Sequence, residues 1–224
     1  MALAVDAASN ASGNGSGPFT FSHTTSGSDR VMIIGISYYH YGTTISAVTY
    51  NAVAATLIPS ASVDNGDYHV RMYYLIAPAT GSNTVSVSVS ANLYGIGVGV
   101  VTFTGAHQTA PYGTPATATG NDTTPTVNVL AAGDEIAIDT LCIIHGSTLS
   151  VGSGQTSRWN AIQSSGTIKY AGSTEAGSGT TTLSWLNGNI QLWAMVAVAI
   201  KPVAAGGGST MPVIVHHLRQ QGIA

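Results

Sequence analysis

The sequence predicts an all-β protein: a two-sheet antiparallel sandwich, jelly-roll-like, with extended N- and C-terminal arms. Three observations carry this reading. Thr84-Val85-Ser86-Val87-Ser88-Val89-Ser90 alternates apolar and small polar residues without a break, the period of two that marks a half-buried strand. Residues 31–34 and 193–200 are apolar almost throughout, as strands buried on both faces are. Between such runs stand Asp64-Asn65-Gly66-Asp67, Ala79-Thr80-Gly81-Ser82, Ala132-Gly133-Asp134 and Leu186-Asn187-Gly188-Asn189, residue types that close turns. No stretch carries a helical period.

In chain order, residues 1–17 read as a flexible N-terminal segment, because 7–17 consist of Ala, Ser, Asn and Gly alone, a composition without an apolar face. A sandwich domain follows over 18–203. Its expected strands are 19–23, 31–39, 46–50, 54–59, 69–76, 84–90, 96–104, 126–130, 135–144, 157–162, 167–172, 180–185 and 191–201. That is more than the roughly seven to nine of an immunoglobulin-like sandwich, which favours a jelly roll. Asn187-Gly188, set between Trp185 and Ile190, predicts the clearest hairpin, since Asn-Gly supplies the positive φ of a tight turn. Residues 204–210, Ala-Ala-Gly-Gly-Gly-Ser-Thr, form a linker by composition. Beyond it, 211–224 is apolar, β-branched and basic at once. Met211, Pro212, Val213, Ile214, Val215, His216, His217, Leu218 and Arg219 predict a docking arm, too short to build a core of its own.

Charge narrows the function. Six Lys and Arg with nine Asp and Glu make 7% of the 224 residues, at a net charge of −3, against roughly 25% in an ordinary soluble domain. A monomer of this mass exposes about 9,500 Å², or about one formal charge per 600 Å². The exterior is therefore Ser, Thr, Asn, Gln and Gly, or it is covered by a neighbour. The basic residues never cluster, which leaves nucleic-acid binding without an electrostatic basis. The apolar stretches fall far short of the ~20 residues of a spanning helix. The start, Met1-Ala2-Leu3-Ala4-Val5-Asp6, has an acid where a secretory signal carries positive charge. Lys169 and Lys201 are the two lysines, few for protecting sheet edges, so either loops or neighbouring subunits are expected to cover them, the second implying a homo-oligomer or a lattice-bound subunit.

No pattern demands a catalytic, cofactor or metal site. Cys142 lies within an apolar run and reads as a small buried hydrophobe. His216 and His217 are adjacent in an extended arm, where neighbouring side chains point apart. Asp64, Asp67 and His69 surround a turn but offer too few oxygens in series for Ca²⁺. Glu135 and Asp139 share one face of a strand, a weak echo of a glycosidase pair. The Gly-Ser turns at 152–154 and 177–179 lack the following helix of a nucleophile elbow. Asn10, Asn14 and Asn121 open glycosylation sequons that matter only in a eukaryotic secretory setting. Tyr38, Tyr39 and Tyr41 form an aromatic patch with His40. It suits core packing first, a subunit interface second and a sugar-stacking surface third.

Val48-Thr49-Tyr50-Asn51 with Ala54-Ala55-Thr56-Leu57, then Tyr73-Tyr74-Leu75-Ile76-Ala77-Pro78-Ala79-Thr80-Gly81-Ser82-Asn83-Thr84-Val85, then Val101-Thr102-Phe103-Thr104-Gly105-Ala106 resemble a β-sandwich module of bacteriophage virion structural proteins, also seen in bacterial surface proteins. The resemblance spans roughly 30–201 and brings no catalytic residues. It implies a non-enzymatic structural protein of a phage or phage-like virion, a capsid decoration protein first and a tail or fibre component next. Its expected partners are other copies of itself, a major capsid protein or a tail protein, met where virions assemble in the host cytoplasm. The alternative is a carbohydrate-binding or adhesin module on an extracellular surface, with glycans as partners.

Overall fold

A computed structural model describes residues 2–144 and 148–204. The linker from residue 205 and the whole expected arm, Met211 to Arg219 included, lie outside the described residues.

The chain forms the expected antiparallel sandwich, and does so twice. The first half runs through β1 (Ala4–Gly15), β2 (Phe19–Thr25), β3 (Val31–Tyr39), β4 (Ile45–Tyr50), β5 (Val53–Ala54), β6 (Thr56–Asn65), β7 (Tyr68–Ile76), β8 (Gly81–Val89) and β9 (Leu93–Thr104). The second runs through β10 (Ala116–Asp122), β11 (Thr126–Ala131), β12 (Ile136–Ile144), β13 (Leu149–Val151), β14 (Thr156–Ile162), β15 (Ile168–Ala176), β16 (Gly179–Asn187) and β17 (Gln191–Ile200). In the first half the sheet β1-β9-β3-β7-β6 faces β2-β8-β4-β5; in the second, β10-β17-β12-β15-β14 faces β11-β16-β13. The strand order is that of a jelly roll: most connections cross between facing sheets, while β4-β5, β6-β7 and β14-β15 stay within one. The two halves match strand for strand, with β5 lacking a counterpart. The chain is thus an internal repeat of one topology.

The two five-stranded sheets pack on each other, giving four layers. Val31, Ile33, Val70, Met72, Val101 and Phe103 meet Ile138, Cys142, Trp159, Val196, Val198 and Ile200 in one buried cluster. Every inner-sheet strand at the centre is therefore covered on both faces. β3, β12 and β17 accordingly show buried residues in unbroken succession, the reason their sequences are continuously apolar. The outer strands β8, β11 and β16 instead alternate: Val85, Val87, Val127, Val129, Leu183 and Trp185 are buried, while Thr84, Asn128, Leu130, Thr180, Thr182 and Leu186 are exposed.

Close approach of the inner sheets depends on missing side chains. A Cβ at Gly97 would stand 2.0 Å from the Tyr170 ring, and one at Gly99 2.1 Å from the Trp159 indole. Both positions face the second half, two residues apart on β9, so a row of backbone gives the rings their seat.

Two expectations are corrected. Residues 1–17 are not a free lead-in: β1 pairs with β9 from Ala4↔Thr104 to Gly15↔Leu93. Small side chains carry no apolar alternation, but backbone pairing to β9 needs none. Nor does Asn187-Gly188 close a hairpin. β16 pairs with β11 and β13, whereas β17 pairs with β10 and β12, so this turn carries the chain from an outer to an inner sheet. Asn187 is buried there, its Nδ2 donating to Asn189 O at 2.5 Å. Leu183 and Trp185 on one side and Trp193 on the other enter the same core from opposite sheets.

Candidate functional site

The aromatic run at 38–41 divides by the pleat. Tyr38 turns into the first sandwich, 2% exposed, stacked on His69 at 4.6 Å with the Arg71 guanidinium 5.7 Å from its ring centre. Burial pushes its hydroxyl up to about 12, with Arg71 acting the other way. Tyr38 is thus core and is no part of a surface patch with Tyr39 and Tyr41. Tyr39 takes the opposite face, where the register sets it beside Tyr68 and Gly95. It stacks on Tyr68 at 4.9 Å and leans on Tyr94 at 5.6 Å, and Tyr94 stacks on His40 at 5.2 Å. Tyr41 follows in the loop, 72% exposed, and Tyr94 is 57% exposed. The structure thus brings Tyr39, His40 and Tyr41 to one surface and adds Tyr68 and Tyr94. These two come from strands distant in sequence, β7 and β9, and nothing in the 38–41 run announces them.

A hydrogen-bonded base fixes this surface. Asp64 Oδ1 accepts from Arg71 Nη1 at 2.6 Å and lies 2.7 Å from His69 Nδ1, while His69 Nε2 meets His40 O at 2.9 Å. Burial works against the Asp64 carboxylate, but the bonds from Arg71 and His69 together hold it below the usual range. His40 N donates to Asp67 O at 3.2 Å, and His40 Nδ1 is 2.6 Å from Thr43 Oγ1. Asp67 stands close enough to the Tyr41 hydroxyl to raise its pKa. From the second half, Ser165 Oγ donates to Tyr94 O at 3.1 Å. Asp64, Asp67 and His69 thus serve a tight turn, with Gly66 at φ 62°.

The other titratable groups singled out from the sequence do not converge here. Asp139 is wholly buried between β12 and the outer sheet, where Oδ2 accepts from Trp185 Nε1 at 2.8 Å and Oδ1 from Ser173 N at 2.5 Å. Burial pushes its carboxyl up to about 7 against those bonds. It has no access to a sugar, and Glu135 is taken up locally, Oε2 accepting from Ala132 N at 2.9 Å. Cys142 is free and buried between the inner sheets, its thiol pushed up by burial. His23, 2% exposed, shares hydrogen bonds of 2.7 Å with Ser9 Oγ and with Thr102 Oγ1, and burial lowers its pKa. Among the described residues no three His, Cys, Asp or Glu gather as a metal site, and no helix is long and apolar enough to cross a membrane.

No family model, no curated protein and no solved structure matches the chain.

Proposed function

We propose that this chain is a non-enzymatic structural protein of a phage or phage-like virion, a capsid decoration protein in the first instance and a tail or fibre component in the second. It works by contact with copies of itself or with a major capsid or tail protein. One observation carries the reading: two jelly-roll sandwiches seal their apolar faces against each other and leave hydroxyl-rich sheets and open edges outside. Thr20, Ser22, Thr24 and Thr84 form one exposed face; Asn128, Thr180 and Thr182 lie on the other, with exposed Leu130 and Leu186 among them. The edge strands β2 and β11 contain no Lys, Arg or Pro, the residues that ordinarily keep an edge from pairing. Such edges suit a subunit whose neighbours cover them. The link from jelly roll to virion is a fold-level analogy, in line with the resemblance over 30–201. The apolar, basic composition of 211–224 supports a segment that docks on another chain.

Density-gradient fractionation of lysed producing cells tests the proposal. The chain should co-sediment with particles in the megadalton range and should be visible on them by immunogold labelling. Recovery wholly in the soluble low-mass fractions, with unlabelled particles, overturns it.

A further inference from the structure

The cluster at the tip of the inner sheets is more than packing. Tyr39, Tyr68, Tyr94 and His40 form a continuous series of ring contacts. Beside it stands Tyr41, 72% exposed, whose ring has no aromatic partner among the described residues. Leaving so much tyrosyl surface in water gains nothing for folding, and the base of Asp64, His69 and Arg71 holds it in one geometry.

We propose that this surface, centred on Tyr41 and Tyr94 with Asp67 at its rim, binds a neutral pyranose oligosaccharide. The chemistry fits at three points. A pyranose ring presents a face of C–H groups that packs on an aromatic ring, and its rim of hydroxyls needs acceptors in the ring plane. The Asp67 carboxylate, beside the Tyr41 hydroxyl, has lone pairs to offer, and His40 Nε2 has no protein partner among the described residues. Charge selects the class of saccharide: Asp64 and Asp67 stand against Arg71 alone, and Arg71 is paired with Asp64. A sulfated, sialylated or phosphorylated glycan would bring an anion beside an uncompensated carboxylate.

Size distinguishes a sugar from a protein partner. The exposed parts of the two rings amount to on the order of 300 Å². A stable protein interface takes about 800 Å² per partner; a few sugar rings fill the smaller area. Pre-organisation lowers the ordering cost of binding. This inference is independent of the virion assignment, which rests on the sheet edges and faces and on the segment 211–224 and not on this surface.

The test is calorimetric titration of the full chain with neutral oligosaccharides of glucose, galactose, mannose and N-acetylglucosamine, with sulfated and sialylated oligosaccharides as the charged arm. At least one neutral oligosaccharide should bind. Tyr41→Ala and Tyr94→Ala together should weaken it at least tenfold, while Val53→Ser, on an exposed residue elsewhere, should leave it unchanged. Tyr41→Ala alone, at a residue that supports no other ring, should weaken binding without moving the thermal transition. The proposal is overturned by any of four results. No neutral oligosaccharide binds; charged ones bind equally well; the double variant binds like Val53→Ser; or the double variant changes the mass of the unliganded protein in solution, which would make the cluster an interface between copies.

Discussion

The indole of Trp159 occupies the place where a side chain on Gly99 would begin: a Cβ there would stand 2.1 Å from its Cε2. The two residues belong to different halves, on β9 and β14, so this contact joins the two sandwiches. Gly99→Val should force the inner sheets apart and cost about 3 kcal/mol or more, the upper range of overpacking. Urea denaturation reads the loss. Unchanged stability would mean that the halves do not meet at this point.

Thr140 Oγ1 is buried on the same interface without a hydrogen-bond partner, against Gly35. A buried hydroxyl left unpaired costs about 1–3 kcal/mol relative to a paired one. Thr140→Val keeps the shape and removes the hydroxyl, and should raise unfolding free energy by about 1 kcal/mol. A loss of stability would show that the hydroxyl has a partner.

Asp139 should give the protein a distinctive pH dependence. Its carboxyl titrates near 7 in the fold, against the ordinary 3.8. Between those values the native state holds a proton that the unfolded chain has released. Its contribution to stability is thus fully present below about pH 4, falls as pH rises toward 7, and is flat above. The interval corresponds to about 4 kcal/mol. Asp139→Asn removes this slope, so the wild type should lose ground to the variant between pH 5 and pH 8 in paired urea titrations. A difference independent of pH would contradict the buried, proton-holding carboxyl.

Neither half should stand alone. Residues 1–104 would expose Val31, Ile33, Met72, Val101 and Phe103 on one sheet face, all of them buried in the whole chain, a patch that promotes association. Expressed separately, that half should be insoluble or aggregated. Co-expression with 105–224 should return a soluble complex. A soluble, cooperatively melting monomer of 1–104 would show that the inner interface is dispensable.

The legible parts of the fold were those where burial leaves a pattern. The run 31–39 is apolar because both faces of β3 are covered, and 84–90 alternates because one face of β8 is. β1 was hidden because an edge strand that is Ala, Ser, Asn and Gly from residue 7 onward pairs with β9 through the backbone, and its side chains carry no alternation that would announce that pairing. The duplication was hidden because it has no fixed period. β3 and β12 begin 105 residues apart, β8 and β16 only 98, the second half having a three-residue β13 and no β5. At the aromatic surface, alternation along one strand could have separated Tyr38 from Tyr39. Tyr68 and Tyr94 join only through the registers of β7 and β9 against β3, which local sequence does not encode.

The central claim is that the chain is built to assemble. Light scattering on the full chain and on a chain ending at Ala205 tests it most directly. The account predicts a trimer or larger species for the full chain that falls to monomer on truncation. A monomer in both cases would contradict assembly through copies of itself.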